Sequence, residues 1–200
     1  MTPNPKKKAL ILSYITVGYN ILEGVASMIA GYLAGSIALS GFGLDSFVES
    51  LSGMVMLWRL RNLADSPDDV KERREEKAVR LIGYTFFILA AYILYESASK
   101  LYFNEKPESS LLGIIIAIVS LIAMPALFHQ KYRTAQELNS RSLMADSKET
   151  LACTMLSASL LIGLGLNYLF GLWWADPVTG LVIVFFLIRE GREIFEDEND

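Results

Sequence analysis

The residues best placed to do chemistry are two carboxylates in Gly-Phe-Gly-Leu-Asp-Ser-Phe-Val-Glu-Ser, residues 41–50. Asp45 and Glu49 are four residues apart, so on a helix they share one face, a single turn from each other. The apolar run that contains them covers residues 36–58. That is about 23 residues, or ~34 Å of helix, enough to cross a bilayer. Its midpoint lies near residue 47, which puts both carboxylates close to a membrane midplane. A charge there costs on the order of 2.5–3.5 kcal/mol on insertion scales. Two such charges on one face suit the binding of a cation in transit.

A second stretch, Met-Ala-Asp-Ser-Lys-Glu-Thr-Leu-Ala-Cys, residues 144–153, supplies a partner. Asp146, Glu149, Thr150 and Cys153 follow i, i+3, i+4, i+7 spacing and share a helix face. Entering from the cytoplasm, Asp146 is the shallowest and Cys153 lies nearest the midplane. Two carboxylates from one helix, with a carboxylate and a thiol from the other, make four ligands suited to a tetrahedral divalent cation such as Zn²⁺. Lys148 points off this face, where it can snorkel to water. The competing reading is that the acids pair with basic or backbone groups and only lock helices together. No basic residue is expected at matching depth in the spans. Asp146, near a helix start, also suits a capping or solvated role. Cys153 alone would be a small buried hydrophobe.

The elements that must position these groups are transmembrane helices. Of the 200 residues, 52% are hydrophobic, too many for an ordinary soluble domain. An all-α polytopic membrane protein is expected, a single transmembrane domain over residues 1–200. Its six spans fall near 10–32, 36–58, 78–103, 110–129, 142–170 and 175–190, with a short acidic tail at 191–200. The first apolar run is too long for a signal-peptide core and reads as a retained span. Of the 18 Lys and Arg residues, 15 fall before span one, in the connections after spans two and four, or after span six. This asymmetry places both termini in the cytoplasm. The tail reads as a solvated, disordered end with no soluble domain after it. One cysteine excludes an internal disulfide framework, and a net charge of −4 with no basic stripe argues against nucleic acid.

Other polar groups have plainer readings available. Asn20 and Glu23 lie near the middle of span one. They would line a cation path or relay protons, or else bond to a neighbouring helix. Glu96 reads as an interface carboxylate, and Asp176 before Pro177 as a helix N-cap. No role is assigned to His129. Asp65, Asp68, Asp69, Glu72, Glu75 and Glu76 alternate with basic residues as a solvated face. Small residues in spans one, two and five should let spans two and five approach to ligand distance. Pro125 should kink or break span four. Trp173 and Trp174 fit an outer interfacial belt.

These motifs resemble the transmembrane domain of the cation diffusion facilitator superfamily, exporters of Zn²⁺ and related divalent cations. That family carries Asp-x-x-x-Asp or His-x-x-x-Asp in its second span, and Asp45-x-x-x-Glu49 matches with Glu for the second Asp. Its fifth span often reads Ala-Asp-x-x-His-x-x-x-Asp. Ala145-Asp146-x-x-Glu149-x-x-x-Cys153 keeps that frame, with Glu for His and Cys for Asp. Trp174-Ala175-Asp176-Pro177 resembles the start of the family's sixth span. The resemblance is to short six-span members, similar to vesicular zinc transporters, without the cytoplasmic C-terminal domain.

It implies a homodimeric metal efflux transporter working by alternating access, with Asp45, Glu49 and Glu149 as ligands and Cys153 or Asp146 completing the shell. Bound metal displaces protons from such ligands, so proton/metal antiport is expected. No enzymatic activity and no prosthetic group are expected; the cargo is Zn²⁺, and the membrane is a plasma (inner) membrane if the source is prokaryotic. The alternatives are a cation-selective channel and an intramembrane metal-dependent hydrolase. The second lacks a histidine in the spans other than His129 at the very end of span four, and a recognisable catalytic motif.

Overall fold

The computed structural model describes residues 5–62 and 68–196; within its helices, the side chains at 59–62, 68–83, 85, 141, 142, 145, 194 and 196 lie outside the described set. The described chain is helical, with no strand among the described residues. Six helices follow in order: α1 (Pro5–Ala34), α2 (Ile37–Asn62), α3 (Asp68–Phe103), α4 (Leu111–Leu138), α5 (Arg141–Phe170) and α6 (Ala175–Glu196). Among the described residues, α1, α4 and the part of α5 from Asp146 to Phe170 are long and apolar enough to cross a membrane by length and composition.

The helices overrun the expected spans. α3 begins at Asp68 rather than 78, α4 continues past 129 to Leu138, and α6 reaches Glu196. Hydropathy marks where a helix can meet lipid, whereas backbone hydrogen bonding continues into water through residues of good helix propensity. The expected disordered tail is corrected accordingly. Residues 191–196 are helical, and Phe195 packs its ring 5.2 Å from Tyr84 and 6.0 Å from Phe87. Residues 197–200 lie outside the described residues, as do the side chains of the acids expected to form a solvated face at 65–76. Pro125 does not break α4, which runs through it.

Local chemistry explains the turns. Gly35 ends α1 in the left-handed region at φ 61°, and the Lys100 ammonium donates to its carbonyl. Ser36 then caps α2, its Oγ accepting from Leu39 N at 3.1 Å. Asp176, expected to cap its own helix, instead serves α2. Its carboxylate accepts the Ser36 hydroxyl and the Ile37 N–H at 3.0 Å. A carboxylate beside the α2 N-terminus satisfies donors that the helix leaves open and complements its dipole. Between α4 and α5 the turn is only two residues. Asn139 adopts the left-handed conformation at φ 48° and closes α4. Ser140 accepts from Leu143 N and opens α5.

α1 lies against α2, α4 against α5 and α3 against α6, while α2 also packs on α3, α5 and α6. The two helices bearing the candidate ligands therefore meet inside the bundle. Phe42, Ile93, Met124, Leu156, Leu160 and Ile183 are fully or almost fully buried between the layers. Ser52 joins α2 to α5, but other small residues act at seams away from that contact. Gly24 and Gly43 bring the backbones of α1 and α2 together, and Gly31 sits on Ser40. Ser157 bonds Ser120 across the α4–α5 seam at 2.8 Å. These seams support α2 and α5 from behind.

A Cβ at Gly43 would lie 3.0 Å from Gly24 O and 3.0 Å from Met28 N, backbone atoms that cannot rotate away. Gly43→Ala should destabilise the protein by about 1–3 kcal/mol, as overpacking does. Gly18 has open space around its Cβ position, so Gly18→Ala should stay within about 0.5 kcal/mol of the parent. Thermal melting of both variants in detergent checks the contrast.

Candidate functional site

One face of α2 carries Asp45 and Glu49 into the bundle, and α5 presents Glu149 and Cys153 towards them. Asp45 is 6% exposed, Glu49 4% and Cys153 2%, while Glu149 is half-buried. These four line a common cavity with Glu190 of α6, and Phe86, Leu156 and Leu187 form apolar walls. The cavity volume is about 10 Å³, about one water-sized sphere. A single ion stripped of most of its water matches that size; an extended substrate does not.

Hydrogen bonds hold the carboxylates in distinct states. Glu149 Oε2 accepts from Ser52 Oγ of α2 at 2.7 Å, which ties α5 to α2. Glu49 Oε1 accepts from Thr150 Oγ1 at 3.1 Å, whereas its buried Oε2 has no hydrogen-bond partner. Cys153 is a free thiol. Among the described residues, no three Asp, Glu, Cys or His side chains converge closely enough to hold a metal ion. The four groups line one cavity without forming a closed three-ligand cluster.

Asp146 goes elsewhere. It is 4% exposed, and Lys131 of α4, fully buried, places Nζ 2.9 Å from its Oδ2. The contact is an ion pair, and the ammonium also donates to Thr150 Oγ1 at 2.9 Å. A basic residue is thus buried beside the acids, against the expectation that none lies at matching depth. The helix geometry explains it. Lys131 stands eight residues before Asn139, while Asp146 and Thr150 stand six and ten after Ser140. At 1.5 Å per residue, Lys131 is about 12 Å from the turn, between the levels of its two partners. The tight turn folds α4 back onto α5 in that register.

Glu23 and Asn20 lie outside the cavity lining. Glu23 is buried on α1 and accepts from Tyr19 OH at 2.9 Å and from Ser46 Oγ of α2 at 3.0 Å. It therefore bonds the neighbouring helix one residue from Asp45. Asn20 is fully buried with neither amide atom hydrogen-bonded. Glu96 is half-buried on α3, and His129 and Lys148 are exposed.

Sequence reasoning missed Lys131, Glu190 and Ser52. Lys131 read as part of a charged connection because the apolar run stops before it. Glu190 did carry a signal: Phe186 and Leu187, four and three residues earlier, put it on the inward face of α6. Ser52 has no distinguishing pattern, since one serine among several is common in a packed helix.

A family profile for the cation efflux transmembrane domain matches residues 13–198. The chain belongs to that family. Its members are transporters rather than enzymes. The chain is 24% identical over 195 residues to transmembrane protein 163 of Xenopus laevis, covering 97% of itself and 68% of that protein. With the cadmium, cobalt and zinc/H(+)-K(+) antiporter of Bacillus subtilis it shares 24% over 197 residues, covering 96% of itself and 61% of that protein. With the manganese efflux system protein MneS of Bacillus subtilis it shares 20% over 197 residues, covering 96% and 68%. The chain thus spans about two thirds or less of the length of the relatives it matches.

A buried thiol in this cation efflux protein should be shielded from reagents. Cys153 in the folded protein is expected to react with N-ethylmaleimide on the order of tenfold more slowly than after denaturation in SDS. Equal rates, followed by intact-mass spectrometry, would show that the cavity is open.

Proposed function

We propose that this chain exports a divalent metal cation, Zn²⁺ by preference, by alternating access and in exchange for protons. In this reading all six helices cross a membrane, a plasma membrane in a prokaryote, as a single transmembrane domain with both termini in the cytoplasm. The distribution of Lys and Arg supports that orientation. The large apolar side chains left facing outward, among them Leu22, Ile88, Ile122, Ile162 and Phe185, suit a lipid surface. A homodimer is proposed on the family resemblance.

The observation that carries the reading is the single-ion cavity shared by Asp45, Glu49, Glu149 and Cys153. Three oxygens and one sulfur from α2 and α5 fit a tetrahedral borderline cation. Small rotations of these side chains, two on each of the facing helices α2 and α5, would close a shell around the ion. The unpartnered Oε2 of Glu49 is the atom most in need of such a partner. Carboxylates and thiol bind metal only when deprotonated, so loading releases protons. Opening towards a more acidic compartment reverses the exchange, protons returning as the metal leaves. The relatives named for cadmium, cobalt and zinc and for manganese support the cargo class. A cavity of single-ion size favours a carrier over an open pore, which would need a continuous lined path.

A metal panel in proteoliposomes tests this. Wild-type protein should show saturable Zn²⁺ flux driven by a pH gradient, and Asp45→Ala should reduce it to background. Cys153→Ala should move the preference from Zn²⁺ towards Mn²⁺ by about tenfold, because the remaining ligands are oxygen. Normal transport by Asp45→Ala defeats the site, and ohmic conductance without coupling defeats the carrier.

A further inference from the structure

A lysine with no exposed surface at all needs a stronger account than helix packing. Lys131 could be replaced by any apolar residue if the α4–α5 seam were its only task, and a buried ion pair is seldom more stable than such a replacement. Its contacts are specific. The ammonium faces Asp146 Oδ2 and donates to Thr150 Oγ1, each at 2.9 Å. Thr150 Oγ1 lies 3.1 Å from both Glu49 Oε1 and the Asp146 carbonyl, the two acceptors within reach of its single proton. A fixed positive charge is therefore joined, through one hydroxyl, to a carboxylate of the cation cavity.

We propose that Lys131 is a built-in counter-cation that sets the ligand set and the charge of the metal site. It withdraws Asp146 from the shell by pairing with it, and through Thr150 it holds Glu49 turned so that Oε2 stays free for the cargo. Lys131 is a positioning residue in this scheme, since it touches no transported ion. The inference rests on the metal-export reading and narrows it. The site has Asp45, Glu49, Glu149 and Cys153 as ligands, and the charge of Asp146, the further acid on that face of α5, is cancelled internally. Without that cancellation a further anionic oxygen stands one turn from Glu149 and Thr150. An extra hard ligand favours Mn²⁺ relative to Zn²⁺, and an extra negative charge strengthens the hold on any divalent ion.

Charge balance makes the test sharp, because the two partners should act in opposite directions. Equilibrium binding of Zn²⁺ and Mn²⁺ to purified protein in detergent, with transport KM in proteoliposomes, gives the readout. Lys131→Met should tighten Mn²⁺ binding about tenfold relative to Zn²⁺. Asp146→Asn leaves the ammonium uncancelled and should weaken both metals about tenfold, with their ratio unchanged. Lys131→Met/Asp146→Asn should return both affinities to within about twofold of wild type, and Lys131→Arg should preserve the ratio. A lysine with a packing role only would give single variants that both lose stability and a double variant that is no better. That pattern overturns the inference, as does a metal preference unchanged in Lys131→Met. If one single variant does not fold, failure of the double variant to recover wild-type affinities is decisive. Failure of wild type to bind or carry any metal overturns the export reading itself, and is seen in the unmutated arm.

Discussion

A carboxylate held in a low-dielectric interior must be neutralised, hydrogen-bonded or given a cation. Much of this bundle is arranged around five acids that face that requirement. Each is answered differently. Asp146 has a lysine, Glu23 has a tyrosine and a serine, and Asp176 has the open N-terminus of α2. Glu49 has one oxygen bonded to Thr150 and one with no partner. Among the described residues no side chain hydrogen-bonds Asp45. Glu23 and Asp176 are hydrogen-bonded in the structural seams and Asp146 is charge-paired with Lys131, whereas Asp45 and Glu49, which have no counter-charge in contact among the described residues, lie together on α2 at the cavity. That contrast separates groups that hold the fold from groups suited to an incoming charge.

Packing makes the contrast possible. α2 can carry two poorly compensated carboxylates because it is supported on several sides. The glycine contact with α1, the cap from the start of α6, and the Ser52–Glu149 bond to α5 fix its position without involving Asp45 or Glu49. α5 is fixed in turn by the Asn139–Ser140 turn and the serine pair with α4. The cavity is therefore bounded by helices whose relative positions are set from outside it. Of its own side chains, Glu149 and Glu49 are each held by one hydroxyl, from Ser52 and Thr150.

The two halves of the candidate site were legible in the sequence because helical spacing depends only on residue numbers. Asp45 and Glu49 share a face by being four apart, and Glu149 and Cys153 likewise. The family frame was also legible, since it is a matter of residue order. Harder to read were groups whose importance comes from a neighbour on another helix. Lys131 was hidden by its own polarity, as a hydropathy boundary cannot distinguish a solvated lysine from one buried on a helix that continues beyond the apolar run. Asp176 was assigned to the wrong helix for a related reason. Capping rules describe the nearest N-terminus in sequence, and the one it serves is 139 residues away.

Sequence by itself determined the class of the molecule, the number of long helices and the residues facing inward on α2 and α5. Those follow from composition and periodicity, which are local properties of the chain. Tertiary structure alone decided which acids share a cavity and which are already partnered. It brought Glu190 to the site from the last helix, took Asp146 out of it through a buried lysine, and assigned the small residues to the α1–α2 and α4–α5 seams. Those choices depend on distances between side chains far apart in sequence, set by turn geometry and helix packing.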